Sequence, residues 1–196
     1  MFLINEQLQE KLASMAIDKK ADHIGWIKPS DIRFSAELRA LCSQNTCGQY
    51  KSSWKGPPAI GPVDQLAKEV HPYKAGLVIQ TIGQLEDSFD YPGMMEAKDV
   101  HQDTFRAILS SAKQESQVSR LLGLDIGCCN ICDPCTYPDQ PCLKPEEALA
   151  SVEAYGINVN ALLAMCGLKY NNGANTVSYV GLILIDDESF DPMSVI

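Results

Sequence analysis

Five of the chain's eight cysteines fall between Gly127 and Pro145: Cys128, Cys129, Cys132, Cys135 and Cys142. In one register they read Cys-x2-Cys-x2-Cys-x6-Cys, through Cys129, Cys132, Cys135 and Cys142. Two-residue gaps let successive thiolates converge on a common centre from a single loop. The Gly and Pro residues among them hold that loop out of helix and strand. Such a segment reads as a loop that binds metal, cross-links itself or carries free thiols.

Three chemistries compete for the segment. A triple Cys-x2-Cys-x2-Cys run with a later Cys near a Pro is the ligand pattern that holds a cubane iron–sulfur cluster in bacterial-type ferredoxins. There the last gap is three residues with Pro directly after; here it is six, and Pro145 comes three residues after Cys142. Structural zinc usually splits its cysteines into two knuckles with a longer spacer, a poor match to four thiols crowded together. Disulfides are compatible with an even cysteine count, but neighbours two residues apart in a tight loop rarely reach disulfide geometry without strain. The cubane is the favoured reading, with zinc as the alternative.

Composition narrows the partners. A formal net charge of -9 argues against nucleic acid and against anionic membranes. It suits docking to a basic redox partner protein, although acidic surfaces are common. The N-terminus lacks the basic and apolar regions of a signal peptide, and no apolar run has membrane-spanning length. The expectation is a cytoplasmic protein, where thiols stay reduced and clustered cysteines more often bind metal.

Along the 196 residues the pattern suits one domain, 1–196, of α/β or α+β class, with a mixed sheet of about four strands flanked by helices. Residues 5–17 read as an amphipathic helix capped by Asn5, and His23–Ile27 as a short strand. Ser35 caps a short helix that delivers Cys42. Residues 42–62 form a second cysteine-bearing loop, Gly- and Pro-rich, with Cys42, Cys47, Tyr50 and Trp54. Pro62 opens a helix as its first residue. Strands are expected at Ala75–Leu85, Leu121–Ile126 and Thr176–Ile185, with a turn over 87–93 and a long helix over 94–117. After the 127–145 loop, Pro145–Leu149 starts a short helix, and Asn158 caps another that ends at Gly167. Cys166 lies on its apolar face and reads as a core thiol. The tail from Asp186 onward reads as solvated.

With both cysteine loops in view, the chain resembles a prokaryotic family described as predicted metal-binding proteins, a domain-of-unknown-function family found largely in anaerobes. The resemblance runs from about Asp31 to Leu184. One signature, Cys-x4-Cys-x2-Tyr-x3-Trp-x-Cys-Pro-Pro, is represented by Cys42, Cys47, Tyr50, Trp54, Pro57 and Pro58. A second is similar to Gly-x-Cys-x2-Cys-x2-Cys with a further Cys, matched by Gly127, Cys129, Cys132, Cys135 and Cys142. A third stands as Glu153–Val159. The resemblance implies metal binding and little about a reaction. Where the first signature has its third cysteine, this chain has Gly56. Three explanations stay open: Cys128 or Cys166 replaces it, an external ligand takes an open iron, or the first site is empty.

The expected metal ligands are therefore Cys129, Cys132, Cys135 and Cys142, with Cys42 and Cys47 as a second candidate site and Cys128 as an alternate ligand. One cubane is expected and two are allowed. The leading function is electron transfer or a redox accessory role in an anaerobic prokaryote, with a redox partner protein or small molecule. The alternatives are a cluster enzyme with an open iron near Cys42 and Cys47, and a zinc-stabilised interaction module. His23, His71 and His101 are scattered and read as surface or packing residues. Glu153 reads as solvated or capping before it reads as a proton-transfer group. No phosphate-binding glycine loop is present.

Overall fold

A computed structural model describes residues 4–188. Two of the expected strands pair along their full length to make the middle of the molecule. Strand β2 (Ala75–Gln84) runs antiparallel to β5 (Thr176–Asp187), from Ala75 opposite Ile185 to Gln84 opposite Thr176. Strand β1 (His23–Ile27) adds to the free edge of β2, and β3 (Val118–Asp125) to that of β5, both antiparallel. A two-residue β4 (Ala150–Ser151) lies parallel to β3, giving the order β1-β2-β5-β3-β4. The fold is thus α/β with a mixed sheet, as the sequence suggests, but with five strands instead of about four. The extra one is too short to leave a periodic signal.

Side chains alternate across a strand, so the near-continuous apolar runs of β2 and β5 require cover on both faces. One face takes Leu77, Ile79, Ile183 and Ile185 under α1 (Glu6–Asp18) and α4 (Tyr91–Lys113). Leu8, Leu12, Phe105, Ile108 and Leu109 supply the helix side of that core. Phe105 lies so close over Gly181 that a Cβ there would meet its ring at 2.4 Å. The other face takes Val78, Val180, Leu182 and Leu184 under α3 (Val63–Val70) and α5 (Val159–Met165). Tyr155 and Ile157 complete it.

Several boundaries differ from the sequence reading. Pro62 is the residue before α3, not its first position. The stretch 87–93 is only partly a turn, because Asp90 accepts a hydrogen bond from the Gly93 N–H and starts α4 at Tyr91. Pro145–Leu149 makes a turn and then enters β4 without forming a helix. Asp186 and Asp187 are not a solvated tail. Arg120 holds Asp186, while Asp187 is buried and accepts from Lys74 Nζ at 3.0 Å and from the Asn5 N–H at 2.9 Å. Residues 189–196 of that tail lie outside the described residues. Among the described residues no helix is long and apolar enough to cross a membrane.

Candidate metal centre

The loop after β3 carries the five clustered cysteines. Pairing of Leu124 with Ala150 and of Asp125 with Ser151 clamps its two ends side by side. Gly127, at φ 62°, turns the chain out of the strand in a region that favours glycine. Inside the loop the Gln140 N–H donates to the Thr136 carbonyl, and the Thr136 hydroxyl to the Pro141 carbonyl, folding the segment back on itself.

Cys129, Cys132, Cys135 and Cys142, all half-buried, line one narrow cavity whose opposite wall is Ser53–Lys55. Burial pushes the Cys129 thiol up. The backbone N–H groups of Ile131 and Leu149 donate to its sulfur and act the other way, as does the nearby Arg106 guanidinium. Such N–H to sulfur bonds are one of the factors that tune the potential of a thiolate-bound cluster. The donor set therefore fits a cubane. The free volume does not yet, since about 10 Å³ is open between the thiols, no more than one water would need. Seating a cluster requires this loop to spread outward, and the residues that would move, Asp133, Pro134 and 139–141, are exposed.

The second cysteine loop is delivered by α2 (Ala36–Ala40), capped by Ser35, which accepts from the Leu38 N–H at 3.0 Å. A 3-10 turn, Leu41–Gln44, carries Cys42 and ends at Asn45 in the left-handed region. The Asn45 side chain accepts from the Tyr50 N–H at 2.9 Å and closes the loop. Arg39 fastens it from below, donating to the Ala154 carbonyl at 2.6 Å and to the Gly61 carbonyl. Burial lowers the Arg39 pKa, while Cys42 and Tyr50 raise it by their charge, so a guanidinium stands beside the Cys42 thiol.

Cys42, Cys47 and Cys128 line a second cavity together with Tyr50, Gly56 and Glu153. Its free volume is about 350 Å³. The neighbours Cys128 and Cys129 thus look into different cavities. The Cys128 thiol donates to the Ser53 hydroxyl at 3.4 Å and lies 3.5 Å from that of Ser52. A Cβ on Gly56 would meet only Ser53, its hydroxyl at 3.1 Å and its carbonyl at 3.8 Å, and the Gly56 backbone is not in the left-handed region. Glu153 is accessible to solvent across the cavity, yet the surrounding protein pushes its carboxyl above the ordinary carboxylate range.

The remaining candidates fall elsewhere. Cys166 caps the end of α5 against Gly25 and the Trp26 carbonyl, and burial raises its thiol to about 11; it lines neither cavity. Trp54 faces the first cavity, not the second. Its indole N–H donates to the Gln140 carbonyl at 2.9 Å and its ring meets Tyr137 edge-on at 4.9 Å, which ties the two cysteine loops together. His23 and His71 are exposed. His101 is fully buried, with Nδ1 2.8 Å from the Thr81 hydroxyl, and burial lowers it to about 4. Asp125, 3.9 Å from the other His101 nitrogen, is raised by burial to about 6. Sequence patterns carry no signal for Ser52, Ser53 or Arg106, because each reaches Cys128 or Cys129 from a distant part of the chain. Arg39 lies three residues from Cys42, but nothing in the sequence marks it as its neighbour in space. Among the described residues no three His, Cys, Asp or Glu side chains gather tightly enough for a single metal ion.

The fold and these loops define an α/β protein with two thiol-lined cavities side by side beyond the end of β3. The chain belongs to the DUF2284 family, predicted metal-binding proteins, whose family model matches residues 25–185. Comparison with curated proteins returns no match. Among solved structures, that of epoxyqueuosine reductase with an epoxyqueuosine-modified tRNA-Tyr stem loop is similar at 13% identity and a TM-score of 0.44. The likeness covers 93% of this chain and 46% of that one, so the chain spans about half of that protein's length.

Proposed function

We propose that the protein binds a cubane iron–sulfur cluster through Cys129, Cys132, Cys135 and Cys142 and serves in single-electron transfer. The observation that carries this reading is the gathering of those four thiols on one cavity. Their spacing on a single loop is the ligand pattern of a cubane, not the two separated knuckles of structural zinc. Membership of a family of predicted metal-binding proteins supports metal at these cysteines.

When bound, the cluster supplies reversible one-electron chemistry. The chain's own residues hold and tune it. Ile131 and Leu149 N–H groups stabilise negative charge on the Cys129 sulfur, and Arg106 adds a cation nearby. The Trp54 and Tyr137 rings pack edge-on at 4.9 Å and brace the loop from one side. The partner we expect is a redox protein with a basic docking face, matching the charge of -9, in a reducing cytoplasmic setting. The test is a redox titration of anaerobically prepared protein followed by visible absorption. The expected result is reversible bleaching of a broad sulfide-to-iron band with a one-electron slope; a colourless protein that takes up no electrons would contradict it.

A further inference from the structure

We infer that Cys42, Cys47 and Cys128 form a second, three-thiolate cluster site whose fourth corner is left to an exogenous ligand, a water or a small molecule with an oxygen or sulfur donor. The inference deepens the reading above, with which it shares the cluster chemistry, but it stands on separate thiols and a separate cavity. Three observations carry it.

The first is the division of neighbours. Cys128 and Cys129 are adjacent in sequence, and a chain serving one cluster would have a use for only one of them. Here Cys129 lines the cavity of the Cys132 loop and Cys128 lines that of Cys42 and Cys47. The segment Ser53–Gly56 runs between the two cavities as a shared wall, with Lys55 lining both.

The second is the shape of the space. The Cys42–Cys47–Cys128 cavity already has about 350 Å³ free, thirty-five times the volume open in the first. That exceeds what three thiols need for packing among themselves, and it lies in the range of small-molecule sites. The third is what stands at the remaining side. Gly56 presents no side chain there, and its nearest neighbour is the Ser53 hydroxyl that already accepts from Cys128. Glu153 and the Tyr50 phenol also line this cavity, beside Gln49 and Ser151. Three thiolates satisfy three irons of a cubane, which leaves one iron accessible from this cavity.

Cys128 is the third thiol of this site, and Cys166, which packs against Gly25 away from both cavities, takes no part in it. The ligand for the open corner is expected to be small and to bring its own donor atom. Arg39 and Lys55 near this site favour one that is neutral or negatively charged.

The experiment uses the full chain, reconstituted anaerobically with iron and sulfide, in wild-type form and as Cys128→Ser, Cys132→Ser and Gly56→Cys. Wild type is expected to hold about eight irons, and Cys128→Ser to lose about half of them. Cys132→Ser should lose the other half, so failure of the first site reads out separately from failure of the second. Mild oxidation of wild type should release one iron from the three-thiolate cluster and leave a three-iron centre visible by electron paramagnetic resonance. Gly56→Cys should abolish that signal by supplying the fourth thiolate, and its iron count guards against a merely misfolded variant. Addition of 2-mercaptoethanol to wild type should shift the spectrum of the reduced second cluster and leave that of the first unchanged. Full iron retention in Cys128→Ser overturns the second site. Absence of a three-iron signal, or a 2-mercaptoethanol response that survives in Cys128→Ser, overturns the open corner.

Discussion

The first cavity takes all four of its thiols from one loop, whereas the second takes two from the Cys42–Cys47 turn and one, Cys128, from the far side of the sequence. The first is closed, with room for about one water; the second stands open at about 350 Å³. The difference follows from how each is held. A local ligand set on a loop of Gly and Pro is joined to the sheet only at its two ends, by β3 and β4, and is held to the neighbouring loop through Trp54 and Gln140. A ligand set assembled from two loops is kept at its spacing by bonds that join the loops or anchor one of them: Trp54 to Gln140, and Arg39 to the Ala154 carbonyl. One site is built to be shaped by what it binds, and the other is shaped by the fold.

The largest effect that bears on this contrast is expected at Cys132. Cys132→Ser should remove most iron from the first site while the fold persists, because no core residue depends on that loop; far-ultraviolet circular dichroism before and after checks the second half. A fold that collapses with the thiol would mean the loop is not the independent unit described here. The core supplies the reverse control. Phe105→Ala empties space over Gly181 and is expected to cost about 3–5 kcal/mol in denaturant unfolding, with iron per folded chain unchanged.

A smaller effect is expected from the buried pair beneath the loops. Burial raises the Asp125 carboxyl to about 6, against about 3.9 when unfolded. The folded state therefore prefers the protonated form. The stability this gives is present below about pH 4 and is lost as pH rises through about 6. Asp125→Asn removes the dependence, so the variant should exceed wild type by about 1–2 kcal/mol at pH 8, a gap that shrinks toward pH 5. His101 works in the opposite sense, losing stability as pH falls from its unfolded 6.5 toward about 4, and it is common to both proteins. A gap that widens toward pH 5 would contradict the assignment. Smallest of all, Cys166→Ala keeps the Cβ that meets Gly25 and loses only a packed sulfur. It is expected to cost about 1 kcal/mol and no iron; iron loss there would make Cys166 a ligand.

The same contrast explains what the sequence discloses. The Cys129–Cys142 set is local, so its spacing alone marks it. β2 and β5 are legible because strands buried on both faces read as unbroken apolar runs, and α1 and α5 because Asn5 and Asn158 cap them. The role of Cys128 is not legible, because a cysteine's neighbours in sequence say nothing of which cavity it faces. Trp54 sits in the Cys42 signature yet packs on Tyr137 of the other loop. β4 is two residues set by its partner, and Pro145–Leu149 follows that pairing instead of its own helix propensity. Asp187 looks like tail by composition, but Lys74 and Asn5, distant in sequence, draw it into the structure.

The central claim is that Cys129, Cys132, Cys135 and Cys142 hold an iron–sulfur cluster. It is tested most directly by quantifying iron, zinc and acid-labile sulfide in protein purified without exposure to air, wild type beside Cys132→Ser. The account predicts iron and sulfide in equal amounts in wild type, with about four of each per chain lost in the variant. Stoichiometric zinc without sulfide in wild type, or full iron and sulfide retention in Cys132→Ser, would contradict it.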